Sequence, residues 1–273
     1  MTEYRMWEKT PALNGEEPVL KYYPAEAKKT DATVVIFPGG GYSHRAKHEG
    51  EGYALYLNSI GMNAFVCEYR VLPYRFPIPL LDARRAVRYV RTHADDFGIN
   101  PSKVAVMGSS AGGHLAALVS TYTQPIDYEN MDDVDEISPL PNATILCYPV
   151  CHYPDGVYVS SSGSFVNLMD GREEEYPRIS PDLLVGDRTP PAFIWHTAED
   201  MVSHSYLYAL ALYQHRIPHE MHIFPHGGHG LGLAPGNPHV AQWSTMLKKW
   251  FGVLGWLPDE PNAIDSSIAQ NLP

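Results

Sequence analysis

Val104-Ala105-Val106-Met107-Gly108-Ser109-Ser110-Ala111-Gly112-Gly113-His114-Leu115-Ala116-Ala117-Leu118 is the stretch on which the reading of this chain turns. A short β-branched apolar run breaks at small residues and then becomes an Ala/Leu helix. A strand that turns sharply into a helix forces its turn residue into a strained conformation, so the flanking positions must be small, here Gly108 and Gly112. Such a turn holds the Ser110 hydroxyl above the sheet, beside the positive end of a helix. Gly-x-Ser-x-Gly alone recurs by chance, and the strand before it and the helix after it are what give it meaning.

Outward from this turn, apolar runs alternate with helical patterns. Val19 to Tyr23 and Ala32 to Phe37 read as strands, the second ended by Pro38 and three glycines. Gly50 to Ser59 suits a short helix, and Met62 to Tyr69 a buried strand. Leu80 to Asp96 places Leu81, Ala86, Val87, Val90 and Ala94 near helical spacing. Beyond the Ser110 unit, Ala143 to Val150, Ala192 to Thr197 and Glu220 to Phe224 read as strands. Ser203 to Arg216 reads as a helix with Leu207, Leu210, Ala211 and Tyr213 on its apolar side, and Val240 to Phe251 as one packing through Trp243, Met246, Leu247 and Trp250. Strands alternating with helices predict right-handed crossovers and a mostly parallel sheet. Thr121 to Pro141, with Asp127, Glu129, Asp132, Asp133, Asp135 and Glu136, reads as a solvated acidic loop.

At 273 residues an α/β chain often stays one domain, so we expect a single domain over 1–273, with a lid or pocket insertion near 151–191, where Phe165 to Met169 is a short helix candidate, and a polar tail near 262–273. The net charge of −11 argues against nucleic acid and anionic membrane surfaces, which would repel it. Met1 to Asn14 lacks the apolar run of a secretory signal, and no stretch has the apolar length to span a bilayer. Cys67, Cys147 and Cys151 are an odd set, two of them in apolar strand-like runs, which points to a reducing cytoplasm. Edge strands and terminal helices leave room for a homodimer.

Serine is a poor nucleophile at neutral pH and needs a base within hydrogen-bond reach and an acid to orient that base. Asp200 lies just past the strand ending at Thr197, and His229 just past the strand ending at Phe224, so both emerge at the sheet edge where Ser110 emerges. Glu199 is the competing acid; adjacent loop side chains do not both face one site. His222 sits within a strand and His226 precedes Gly227-Gly228, whereas His229 lies between Gly228 and Gly230, where the backbone presents its ring. Phe37-Pro38-Gly39-Gly40-Gly41-Tyr42 follows a strand expected to neighbour the Ser110 strand, and consecutive glycine amides converge on an anion without side chains in the way. The amides of Gly40 and Gly41, with that of Ala111 directly after the serine, supply the donors an acyl-transfer oxyanion needs. Trp195 and Tyr42 are candidates to pack against an acyl or sugar group. Histidines are bunched at His196, His204, His215, His219, His222, His226 and His229, yet no His-Glu-x-x-His or Cys-x-x-Cys spacing is present, so neither metal nor cofactor is expected.

Through the glycine loop, Glu68-Tyr69-Arg70, Asp82, Gly108 to His114, Pro190 to Asp200 and His226-Gly227-Gly228-His229-Gly230-Leu231, the chain resembles bacterial α/β-hydrolase-fold carboxylesterases, of the branch joining hormone-sensitive-lipase-like and acetylxylan-esterase-like proteins. The resemblance implies a mostly parallel central sheet flanked by helices, with only a small cap. It implies Ser110 as nucleophile, Asp200 rather than Glu199 as acid, His229 as base and the glycine loop as oxyanion hole. Pro38 stands where the lipase-like relatives carry His, and Met201-Val202-Ser203-His204 is shorter than their loop after the acid. The expected function is a serine carboxylesterase acting on a small-molecule ester, short acyl and above all acetyl, with carbohydrate esters included. The alternatives are a peptidase or amidase with the same three residues, or a catalytically silent hydrolase-like binding protein.

Overall fold

Val35 and Phe37 point to one face of the sheet and Val34 and Ile36 to the other, and all four are fully buried. A strand covered on both faces must be apolar at every position, which is why its sequence runs without polar alternation. The computed structural model describes residues 1–128, 131–153, 155–156 and 163–258. The elements in order are β1 (Thr2–Arg5), β2 (Val19–Tyr23), β3 (Thr33–Phe37), α1 (Lys47–Ser59), β4 (Asn63–Glu68), α2 (Ile78–Thr92), α3 (Ala94–Phe97), β5 (Val104–Ser109) and α4 (Ala111–Thr121). They continue with β6 (Ala143–Cys147), α5 (Gly163–Met169), α6 (Pro181–Leu184), β7 (Ala192–Thr197), α7 (Ser203–Gln214), β8 (His219–Phe224) and α8 (Gln242–Val253). Short 3-10 turns cover Asp133–Glu136 and Glu173–Ile179.

Among the described residues the strands form one sheet of eight in the order β1-β2-β4-β3-β5-β6-β7-β8. β1 and β2 are antiparallel additions, and β4 through β8 run parallel. The chain winds outward from β3 to β4, then crosses back so that β5 lies on the other side of β3. In such sheets the crevice at the reversal point, beyond the carboxyl ends of the strands, is where ligands bind. Register aligns those ends: Phe37 faces Gly108, Ser109 faces Cys147, Cys147 faces Trp195 and Thr197 faces Phe224. The loops after β3, β5, β6, β7 and β8 therefore leave along one edge.

α2, α4 and α7 cover one face with Val87, Leu115 and Tyr208, while α1 and α8 cover the other with Tyr53, Leu57, Trp243 and Leu247. Just past β4, Arg70 meets Asp82 of α2 in a fully buried two-pronged pair, with guanidinium nitrogens 2.6 and 2.9 Å from the carboxylate and the Arg70 N–H donating to it at 2.8 Å. Burial of both charges is tolerable because each is hydrogen-bonded by the other, and Arg70 also donates to Pro11 O at 2.8 Å. The neighbouring Tyr69 hydroxyl donates to Pro38 O at 2.6 Å, so this anchor reaches the glycine loop.

Two expectations are corrected, and one strand lies where the sequence shows none. β1 has no apolar pattern of its own and is a strand because β2 pairs with it; Tyr4 packs on Phe97 from there. In α7, Leu210 and Tyr213 are half or more exposed, and the buried stripe is His204, Ser205, Tyr208, Ala209 and Leu212. The polar members of that stripe turn inward because His204 accepts the Cys151 and His152 amides and Ser205 meets His196. The acidic stretch is not all solvated either: Arg85 of α2 draws in Asp132 and Asp135, and Asp135 is buried. Glu129 and residues 262–273 lie outside the described residues. No helix among those described is long and apolar enough to cross a membrane. Cys67, Cys147 and Cys151 are all buried and unpaired.

Candidate active site

Ser110 sits between β5 and α4 with φ 53° and ψ −122°, a conformation costing a non-glycine residue about 1–3 kcal/mol. Its surroundings hold it there: Ser110 N–H donates to Cys147 O at 3.1 Å, and its carbonyl accepts from His114 at 2.9 Å and Val150 at 3.3 Å. The flanking glycines are required by space. A Cβ on Gly108 would lie 2.1 Å from Gly112 O, and one on Gly112 would lie 2.0 Å from Phe37 O, so α4 packs directly on strand backbone.

His229 Nε2 lies 2.7 Å from Ser110 Oγ, and His229 Nδ1 lies 2.7 Å from Asp200 Oδ2. A carboxylate only accepts, so Nδ1 carries the proton and the Nε2 lone pair faces the serine hydroxyl. Burial alone would push the Asp200 pKa up. Hydrogen bonds from His196 and His229, the charge of His229 and the Met201 N–H outweigh it and hold the carboxyl well below its ordinary range. Glu199 takes a different part: its carboxylate accepts from His226 Nδ1 and the Gly227 N–H, both at 2.8 Å, on an exposed rim. Of the two adjacent acids it is Asp200, the one the resemblance implies, that the structure turns to the histidine.

Along the glycine loop, Gly39 O accepts Ala46 N–H at 2.8 Å, and Gly40 O accepts Ser43 N–H at 3.0 Å and His44 N–H at 3.2 Å. Because a trans peptide points its C=O and N–H in opposite directions, tying those two carbonyls turns the Gly40 and Gly41 N–H groups the other way. Gly39 N–H is already committed to Glu49 Oε2 at 2.8 Å. The N–H groups of Gly40, Gly41 and Ala111 make no hydrogen bond among the described residues. Gly40 has φ 129°, and a Cβ there would lie 2.2 Å from His44 O, so no other residue fits. From the insertion, Asn167 of α5 donates to Gly41 O at 2.8 Å and ties that segment to the loop.

Tyr42 and Trp195 do not face this site. Both are fully buried: the Tyr42 hydroxyl is 2.6 Å from His114 Nδ1, and Trp195 stacks on Trp243 with ring centroids 5.0 Å apart. Strand alternation sends Trp195 to the α1/α8 side of the sheet, and rings with no exposed surface do not touch a solute. Other residues that sequence reasoning passed over do reach the site. The Tyr148 hydroxyl donates to buried Glu49 at 2.7 Å and accepts the Gly232 N–H at 2.8 Å, while its ring meets the His229 ring edge-on at 5.2 Å. His196 donates to Asp200 from behind. No local pattern marks these residues, because they come from α1, the end of β6 and β7 and meet only in the folded sheet. Among the described residues no cluster of His, Cys, Asp and Glu has the makeup of a metal site. A cavity of about 570 Å³ lined by Arg84, Tyr122, Gln124 and Leu184 opens at the other end of α4 and holds none of the residues above.

A serine at a strand-to-helix turn, an acid after one later parallel strand and a histidine after the next define an α/β-hydrolase. The chain belongs to the BD-FAE family, whose signature matches residues 21–211, a span that holds Ser110 and Asp200 and ends before His229. Its structure is similar to that of the acetyl ester-xyloside bifunctional hydrolase from Caldicellulosiruptor lactoaceticus, at 41% identity over 94% of this chain and 97% of that one, with a TM-score of 0.87. In sequence it is similar to endo-1,4-beta-xylanase B of Butyrivibrio fibrisolvens, at 38% identity over 79% of this chain and 34% of the relative. It is also similar to the acetylxylan esterase of Xylanibacter ruminicola, at 32% identity over 80% of this chain and 44% of the relative. The matched region thus spans less than half the length of these two curated relatives.

Proposed function

We propose that this chain is a serine esterase that hydrolyses short acyl esters, acetyl esters of carbohydrates foremost. The observation that carries the proposal is the hydrogen-bonded run from Ser110 Oγ through His229 to Asp200, at 2.7 Å for each link. His229 takes the serine proton through Nε2 as Oγ attacks the ester carbonyl, and Asp200 stabilises the imidazolium that forms. Negative charge develops on the carbonyl oxygen beside the Gly40, Gly41 and Ala111 amides, whose N–H groups are free to donate to it without reorganising. The tetrahedral adduct collapses, His229 gives the proton to the leaving alcohol, and the acyl group stays on Ser110. A water molecule, deprotonated by His229, then attacks that acyl-enzyme and releases the acid. The names of the relatives above support acetyl and sugar substrates. Three buried, unpaired thiols support residence in a reducing compartment, the cytoplasm, which cell fractionation tests.

The test is Ser110→Ala assayed on p-nitrophenyl acetate, on longer acyl esters and on acetylated xylo-oligosaccharides. Loss of hydrolysis with an unchanged melting temperature is expected, with acetate the best wild-type substrate. Retained activity in the variant would overturn the nucleophile, and preference for aminoacyl amides would overturn the ester reading.

A further inference from the structure

Two histidines donate to one oxygen. His196 Nε2 lies 3.1 Å from Asp200 Oδ2, the same atom that His229 Nδ1 reaches at 2.7 Å. His196 belongs to β7, has no exposed surface, and its other nitrogen lies 2.8 Å from the Ser205 hydroxyl of α7, which is also fully buried. The tautomer follows from the partners. A carboxylate accepts, so His196 Nε2 carries a proton, and Nδ1 of the neutral ring accepts the Ser205 O–H. Burial pushes the His196 pKa down; Asp200 opposes that shift and the charge of His229 adds to it, so the ring stays neutral and serves as a fixed donor.

We propose that His196 is a positioning residue that shares the Asp200 carboxylate with His229, fixing its rotamer and holding down the basicity of His229. This rests on His229 being the base of the proposed esterase. An imidazole facing an undivided carboxylate binds its proton more tightly, because the whole negative charge of the acceptor stabilises the imidazolium. A second N–H on the same oxygen takes part of that charge, so less of it faces the His229 ring that accepts the Ser110 proton. Ser205 completes the arrangement by pinning His196 in the tautomer that donates to Asp200.

The other groups around these rings do not do this work. His229 also faces Ser110 and the edge of Tyr148, behind which stands Glu49 of α1; on the rim, His226 is paired with Glu199, and His48 lies on Gly230 O. Near His196 stands His204 of α7, which buries a neutral ring by accepting the Cys151 and His152 amides; His152 is itself paired with Asp182. None of these side chains other than His196 and His229 donates a hydrogen bond to Asp200.

The experiment is an NMR titration of the His229 ring in the full chain, a readout that does not need turnover, beside the pH profile of kcat/KM on p-nitrophenyl acetate. In His196→Leu the His229 pKa is expected to rise by about half a unit to one unit, and the acid limb of kcat/KM to move up with it. His196→Gln, which restores an N–H donor, is expected to give a smaller rise. Ser205→Ala leaves His196 in place but frees its tautomer, and a rise in the same direction is expected; it is decisive should the His196 variants fail to fold. An unchanged His229 pKa in folded His196→Leu, or in Ser205→Ala where the former does not fold, overturns the proposal. If the titration behaves as expected but wild type hydrolyses no ester, the coupling stands and the esterase reading fails.

Discussion

The Tyr42 hydroxyl lies 2.6 Å from His114 Nδ1, and the opposite nitrogen of that ring lies 2.7 Å from Ile179 O. A carbonyl only accepts, so His114 Nε2 carries the proton and Nδ1 accepts from the phenol. One buried neutral ring of α4 thus ties the glycine loop to the turn before α6.

Burial pushes the His114 pKa down to about 4, from an ordinary value of 6.5. Between those values the unfolded chain takes up a proton that the folded ring refuses, so stability falls as pH drops from 6.5 to 4 and this contribution levels off below 4. The size of this effect is about 3 kcal/mol. Urea denaturation of wild type and His114→Gln across that window should show a shallower slope in the variant; equal slopes would place the pH dependence elsewhere, with His204 the next group to test.

The adjacent acids separate by activity. Asp200→Asn is expected to lower kcat on an acetyl ester by about 10⁴-fold, since the amide leaves His229 in the wrong tautomer. Glu199→Gln should stay within a few-fold of wild type because its partners, His226 and Gly227, lie on the rim. The reverse order of losses would move the acid role to Glu199.

Gly112→Ala drives a methyl group to 2.0 Å from Phe37 O and 2.6 Å from Pro38 O, both backbone atoms that cannot step aside. A loss of about 3 kcal/mol or more is expected on overpacking grounds. Gly52 of α1 meets nothing within 4 Å, so Gly52→Ala should stabilise by about 0.5–1 kcal/mol through helix propensity. Chemical denaturation of both variants checks the contrast.

Asp82→Ala leaves the Arg70 guanidinium buried without its carboxylate, and a loss of about 3–5 kcal/mol is expected. Since Tyr69 links this pair to Pro38 O, kcat should fall alongside the denaturation midpoint. A midpoint unchanged by the substitution would show the pair to be dispensable.

The pattern from Val104 to Leu118 is local: a β-branched run, a small-residue turn and an Ala/Leu helix dictate their own geometry, so Ser110 is placed by the sequence itself. The positions of Asp200 and His229, each just past an apolar run, follow as well, because parallel strands deliver their carboxyl ends to one edge. Sequence patterning failed where burial is decided by partners. α7 hides His204 and Ser205 and exposes Leu210 and Tyr213, since two backbone amides and His196 await those polar groups. Trp195 and Tyr42, placed at the site by their neighbours in sequence, are turned into the core by strand alternation and by His114. Strand order and register brought Glu49, Tyr148 and His196 behind Ser110, His229 and Asp200 and turned Asp200 rather than its neighbour to the histidine, because hydrogen bonds across the sheet depend on distances that no single segment fixes.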